Sequence, residues 1–487
     1  MKLFVTLITE DGKRILEAEK GERLSSLFRR YEISVDMPCG GRGTCRNCSV
    51  SVDGKACLAC QMTVEGNLRI QLMGVSPMNQ IVTGQVSNLP PVDPLFTQYG
   101  LSVDIGTTTL CATLFDFLGQ ADTVTRKNPQ TAFGADVISR IQHALEGGTE
   151  ALAHGICQGL TEMIEALCSR RGITALSIDG LVISGNTSML YLLTGQNPLS
   201  LSRAPFSADR LFGEFVPADS LNLPVAPHAR IYLPPCASAF VGADIACAIL
   251  SSGMCRKGET ALLVDMGTNG EVVLWKDGAL TCCSTAAGPA LEGMGITHGS
   301  YGVNGAIDRV WMEDGRLRCS TIGGDSAVGI CGSGIVDAVA LMLELGVIEE
   351  SGAFSNDSNW FPLEDDIGVT GADVRQVQLA KGAIRAGIET LLKVAGLTQA
   401  DVDTLYIAGG FGSKVSLAHL GKIGLIPPEM TGRAQVIGNA AHTGASMLLQ
   451  NRGLIEGVHS FVTQANTVSL DGNPIFVEKY MAYMLFD

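Results

Sequence analysis

Cys39, Cys45, Cys48 and Cys60 are spaced for metal chemistry. Five residues separate the first two, two separate the next two, and eleven precede the last. Zinc ribbons usually pair two C-x-x-C knuckles. A glycine-padded C-x5-C-x2-C loop with one distant cysteine suits a cluster of two irons and two sulfides instead. Such a 2Fe-2S cluster takes four thiolates, and the chain around it must turn tightly enough to aim amides at the sulfurs. Gly40, Gly41 and Gly43 permit that turn. A structural zinc site and uncommitted thiols are the alternatives, and Cys57 rivals Cys60 as fourth ligand.

A second constellation occurs twice. A strand runs into Asp104, then Gly106, Thr107, Thr108 and Thr109, and a second strand returns from Leu110 to Phe117. Another runs into Asp265, then Gly267, Thr268, Asn269, Gly270 and Glu271, and returns from Val272 to Trp275. Backbone N–H groups and hydroxyls in such turns wrap a phosphate, and the aspartate at the strand end suits Mg²⁺. One D-x-G-T turn is weak evidence. Two copies whose aspartates lie 161 positions apart (265 minus 104) point to a nucleotide cleft with ATP and Mg²⁺.

Other segments fit around that cleft. Gly409, Gly410 and Phe411 follow a strand and suit packing against an adenosine. Gly332, Ser333 and Gly334 open a small-residue helix, as do Asn439, Ala440 and Ala441; small residues let two helices cross closely. Lys381 and Arg385 lie one turn apart on a helix read over 373–394, where they frame an adenosine or form a plain solvated face. Asp244 and Glu292 are candidates for holding Mg²⁺ or water, with Glu292 also a candidate general base and loop-ordering its alternative role. Asp136 and Arg140 share a helix face, for partner contact or for capping and a structural ion pair. The histidines have no ligand spacing.

The elements that must hold these residues are readable too. Residues 2–8 alternate, Asp11-Gly12 suits a hairpin turn, 14–19 pair back, and 22–31 have helical spacing through Leu24, Leu27 and Phe28. Strand, turn, strand, helix, cysteine loop and strand make an α+β module over 1–72. Proline-containing residues 73–98 read as a semi-rigid linker, and 99–487 as one two-lobed α/β unit. The formal charge of −15 argues against nucleic acid or an anionic membrane as the main partner. No apolar run reaches the ~18–20 residues that span a bilayer. Glu10, Asp11 and Lys13 interrupt the N-terminal segment, so it reads as a strand and not a signal peptide. Fifteen cysteines, mostly scattered singly through apolar segments, fit a reducing cytoplasm.

Residues 1–72 resemble a β-grasp ferredoxin, and 99–487 resemble the ASKHA ATPase superfamily of acetate and sugar kinases, heat-shock chaperones and actin. The combination is similar to reductive activators of corrinoid proteins. The stretches 128–140, 183–189, 286–293 and 468–477 carry that likeness. Pro94 leads almost directly to Asp104, so the chain is read as a short member without the extra middle domain of the longest ones. The resemblance implies ATP-assisted, one-electron reduction of cob(II)alamin to cob(I)alamin on a corrinoid protein of a methyltransferase system. It also implies a low-potential electron donor, and allows a homodimer. An activator of a dehydratase-type enzyme and a small-molecule kinase with a redox-sensing domain are the other readings.

Overall fold

The computed structural model describes residues 2–9, 12–31, 33, 48–53, 55–72, 92–410 and 415–486. Cys39, Cys45, the 10–11 part of the hairpin turn and Phe411 lie outside them.

The first sheet comprises β1 (Lys2–Thr9), β2 (Gly12–Glu19), β3 (Ser49–Val52), β4 (Lys55–Leu58) and β5 (Leu68–Leu72), in the order β2-β1-β5-β3-β4. Alternation in β1 puts Leu3, Val5 and Leu7 on the buried face, where the helix Leu24–Arg30 adds Leu24, Leu27 and Phe28. β1 pairs antiparallel with β2 and parallel with β5. A mixed sheet crossed by one helix is the β-grasp arrangement.

The remaining chain is built on two six-stranded sheets. One holds β6 (Tyr99–Ile105), β7 (Thr109–Asp116), β8 (Ala121–Lys127), β9 (Ile178–Gly185), β10 (Phe212–Val216) and β11 (Arg230–Pro235), ordered β10-β11-β9-β6-β7-β8. Before the second sheet's last strands come β15 (Ala306–Glu313), β16 (Arg316–Thr321) and β17 (Gly329–Ile330), and a hairpin of β18 (Trp360–Glu364) and β19 (Ile367–Thr370). The second sheet itself holds β12 (Ala261–Met266), β13 (Gly270–Lys276), β14 (Ala279–Thr285), β20 (Thr404–Ala408), β21 (Ala434–Gly438) and β22 (Asn466–Thr467), ordered β21-β20-β12-β13-β14-β22.

The duplication seen in the sequence therefore extends to five strands. In each sheet three strands meander antiparallel, and two more add in parallel beside the first. These strands are apolar because both faces are covered; every residue of β9 is buried. The helix Thr149–Arg171 covers the first sheet with Leu152, Ile156, Leu160, Met163 and Leu167, at helical spacing, and ends on Gly172 in the left-handed conformation.

Two helices cross between the sheets. Ala243–Ser252 turns Ala246 and Cys247 toward the first sheet and Ile245 and Ala248 toward the second. Ala440–Gln450 crosses it at Gly444, where a Cβ would lie 2.0 Å from the Cys247 carbonyl oxygen, so only glycine fits. Although it leaves β21 of the second sheet, this helix is sutured into the first. Ser446 and Ser102 hydroxyls are 2.9 Å apart, and His442 Nε2 is 2.7 Å from Thr113 Oγ1. Burial pushes the His442 imidazole down to about 4, so it stays neutral there. The far end of the helix holds the chain that leads into β6: Asp93 and Leu95 donate amides to the Gln450 and Leu449 carbonyls. Arg452 pairs with Asp93 at 2.9 Å. Among the described residues no helix is long and apolar enough to cross a membrane.

Candidate functional site

A cavity of about 220 Å³ opens where β6 and β12 end. Its walls bring together Asp104, Gly106, Thr107, Thr108 and Thr109 from one hairpin and Asp265, Gly267, Thr268 and Asn269 from the other. Glu292, Gly332, Ser333, Gly409, Gly410 and Asp244 also line it. The two turns close from the corresponding glycine but differ by one residue: Gly106 N–H donates to the Thr109 carbonyl at 2.9 Å, Gly267 N–H to that of Asn269 at 3.0 Å. Gly409 has φ +129°, and a Cβ there would lie 2.5 Å from the Met266 carbonyl oxygen. Glycine is required at that position because the β20 turn passes against β12.

The surroundings of the two turns are opposite in charge. Behind the first, Asn128 Nδ2 donates to the Gly106 carbonyl at 2.8 Å and the Arg140 guanidinium donates to that of Thr107. Lys127 lies 5.7 Å from the Tyr301 ring, and Tyr301 lines the cavity. Behind the second, Thr268 Oγ1 donates to Glu292 at 2.6 Å. Glu271 stands directly across the β12–β13 hairpin from Asp265, and both face the cavity. The equivalent partner of Asp104 is Cys111.

Six carboxyls line the cavity: Asp104, Asp244, Asp265, Glu271, Glu292 and Asp308. Burial pushes Asp244 up to about 8, helped by the charges of Asp265 and Asp104. It raises Asp265 to about 7, helped by Asp104 and Glu292. Asp104, Glu271 and Glu292 are also raised by burial; hydrogen bonds from Ser184 and Asn439 oppose this at Asp104. Carboxyls held protonated by burial, and at Asp244 and Asp265 by mutual repulsion as well, give up protons to a divalent cation. Among the described residues no three of them stand close enough to form a ready-made cage, so an ion here would share its ligands with phosphate and water. The sign of the pH dependence follows. Groups whose folded pKa is raised stabilise the fold at low pH and lose that contribution as pH climbs through the folded value. Without metal, the melting temperature is expected to fall between about pH 4, the ordinary carboxylate value, and about pH 8, while the increment from Mg²⁺ with nucleotide grows over that window. Thermal melts with and without the ligand pair measure both slopes.

Three expected contacts lie elsewhere. Lys381 is buried under the C-terminal segment, donating to the Leu485 carbonyl and lying 5.0 Å from the Phe486 ring. Arg385 pairs with Glu389 at 2.9 Å and stacks on Tyr483. Both fasten the chain end to the helix Gly371–Val394, so neither an adenosine contact nor a solvated face describes them. Gly334 packs on β15, where a Cβ would meet the Ile307 carbonyl oxygen at 2.2 Å. Asp136 caps the helix Val137–His143, and Arg140 is fully buried, which removes it from any partner surface. Asn186 and Tyr301 line the cavity without a role read from the sequence, and Glu271 and Asn439, read there only as parts of a turn and a helix start, line it too. Glu271 was legible, because the residue opposite a strand-end aspartate in a hairpin shares its face.

Cys48 and Cys60 flank the β3–β4 hairpin, and the Ala59 amide donates to the Cys48 carbonyl. Their sulfurs are buried and 3.3 Å apart without a disulfide. Two thiolates on one tetrahedral metal at ~2.3 Å lie roughly 3.8 Å apart, so the pair needs little adjustment.

Residues 99–257 match the RACo middle region, and residues 259–487 match the C-terminal domain of RACo, its ASKHA domain. The chain belongs to the RACo family. A corrinoid activation enzyme, RamQ of Eubacterium limosum, is 29% identical over 601 aligned positions, covering 100% of this chain and 99% of that one. A [Co(II) methylated amine-specific corrinoid protein] reductase of Methanosarcina barkeri is 27% identical over 364, covering 68% and 66%. A solved structure titled reductive activator for corrinoid, iron-sulfur protein superposes with TM-score 0.75 at 26% identity, covering 99% of this chain and 98% of that one. The match over 99–257 corrects one expectation. The middle region of RACo is present here, and it is the segment carrying the first sheet and the turn at 106–109.

Proposed function

We propose that this chain is an ATP-dependent reductive activator. It passes one electron from a 2Fe-2S cluster to the cob(II)alamin of a corrinoid protein, giving cob(I)alamin for methyl transfer. The observation carrying this reading is chain-long likeness to corrinoid activators, joined to a cavity with two facing phosphate turns.

The residues divide the work. The turns at 106–109 and 267–269 aim amides and hydroxyls at the phosphates of ATP. Asp104 and Asp265 hold Mg²⁺ with Asp244 and Glu271 around them, and Glu292, oriented by Thr268, holds the attacking water or the metal. Cys39, Cys45, Cys48 and Cys60 are the cluster ligands, with Cys60 favoured over Cys57 by its distance to Cys48. A cluster so held supplies a one-electron donor.

Both modules are needed for an uphill transfer. Plant-type clusters lie near roughly −400 mV, and cob(II)alamin is harder to reduce. Each 100 mV of gap is worth about 2.3 kcal/mol per electron. Lobe closure around ATP supplies a two-state element able to bias the complex. The reading implies a reducing cytoplasm and a low-potential donor to the cluster. None of the described cysteines is in a disulfide, which fits.

The test is an anaerobic spectrum of a candidate corrinoid protein with a low-potential reductant and this protein, with and without ATP. The cob(I) spectrum should need both protein and ATP. Equal yield from reductant alone would reject the activator reading.

A further inference from the structure

The stretch 128–140 has no role in the chemistry above, yet its side chains converge behind the first phosphate turn. We propose that Arg140 is a positioning residue for ATP hydrolysis, a buried guanidinium that fixes the turn's peptide planes and sets a positive charge behind the phosphates. This rests on the ATP reading of the cavity.

Arg140 has no exposed surface. Nε donates to the Gly134 carbonyl at 3.0 Å, and Nη1 lies 3.4 Å from Gln130 Oε1 and 3.3 Å from Met189 Sδ. Nη2 donates to the Thr107 carbonyl, inside the turn itself. In a trans peptide the C=O and the next N–H point opposite ways. Drawing the Thr107 carbonyl back onto the guanidinium therefore turns the Thr108 N–H forward, and Thr108 lines the cavity. Asn128 does the same one peptide earlier, holding the Gly106 carbonyl so that the Thr107 N–H faces out. Two successive amides are thus presented to one phosphate.

The charge has its own consequence. The acceptors hydrogen-bonded to Arg140 are two carbonyls, an amide oxygen and a thioether, all neutral, and the Asp136 carboxylate and Tyr301 act on it only through space. Burial lowers its pKa only to about 10, so it stays charged at neutral pH. The corresponding threonine of the second turn meets the Glu292 carboxylate instead. One turn is backed by a cation and the other by acids that call for a metal. A triphosphate is then countered from both sides, while a nucleoside gains nothing from either.

That difference makes the test. In the full chain, purified anaerobically, Arg140→Gln is expected to raise the KM for MgATP roughly tenfold or more. The Ki of adenosine as a competitive inhibitor should stay within about twofold, since adenosine has no phosphate to sense the charge. Arg140→Lys keeps the charge but loses the fork, and its KM should fall between wild type and Gln. An unchanged KM in Arg140→Gln overturns the proposal, as does an equal loss of ATP and adenosine binding, which a merely structural role would give. If the Gln variant does not fold, Arg140→Lys decides alone: a raised ATP KM with unchanged adenosine Ki supports the role, and wild-type ATP kinetics overturn it. A wild type that fails to hydrolyse ATP would strike the ATP reading itself.

Discussion

Replacing Cys48 with serine is expected to abolish cob(I) formation while ATP hydrolysis stays within about twofold of wild type, because the two sites share no residues. The Cys48 sulfur lies 3.3 Å from that of Cys60 in a buried pocket, so a hydroxyl there leaves one iron without its soft ligand. The phosphate turns stand on other sheets, beyond residue 99. Iron and sulfide content, dithionite-bleachable absorption and the corrinoid spectrum measure the first effect, and phosphate release the second. A full cluster surviving in Cys48→Ser would remove that residue from the ligand set. A cluster lost in Cys57→Ser and kept in Cys60→Ser would give Cys57 the fourth place.

Asp265→Asn should lower Mg²⁺-dependent hydrolysis by about 10²- to 10³-fold, the loss typical of removing one preorganised charge at a reacting phosphate. The same change should leave the reducible cluster intact. It has a second, opposite effect. Asp265 is raised to about 7 by burial and by the charges of Asp104 and Glu292, so it is a source of strain once ionised. Without metal at pH 8, the asparagine variant should therefore melt higher than wild type; the difference should shrink as pH falls through about 7 and vanish only below about pH 4, where Asp265 is protonated in both the folded and the unfolded state. A variant that hydrolyses normally, or melts lower at pH 8, contradicts the placement of a metal among these carboxyls.

The two strand-end turns that face one cavity were legible because their signal is local: an aspartate, a glycine and hydroxyls within six residues. Of the four spaced cysteines only Cys48 and Cys60 fall among the described residues, and their approach across one short hairpin is a local signal too. The parallel partners β9, β11, β20 and β21 were not, since they join strands tens of residues apart and only long-range pairing reveals the repeat. Lys381 and Arg385 illustrate the limit of spacing. One helical turn between them fixes that they share a face, but what covers it is a chain end about a hundred residues later. Arg140 is similar. Capping by Asp136 can be read from the sequence, whereas burial of the guanidinium depends on a carbonyl 33 positions away.

The strap of Asp93 and Leu95 onto the end of Ala440–Gln450 fixes the point from which the chain runs back to residues 1–72. Twenty residues lie between Leu72 and Asp93. Whatever path they take, they extend at most ~70 Å. One cysteine-bearing domain confined to a sphere of that radius has a local concentration near ~1 mM. Under the proposed reading, a corrinoid protein bound to residues 99–487 would meet its electron donor at millimolar strength, and the contact between them would need to be no tighter than that to form and release within each turnover.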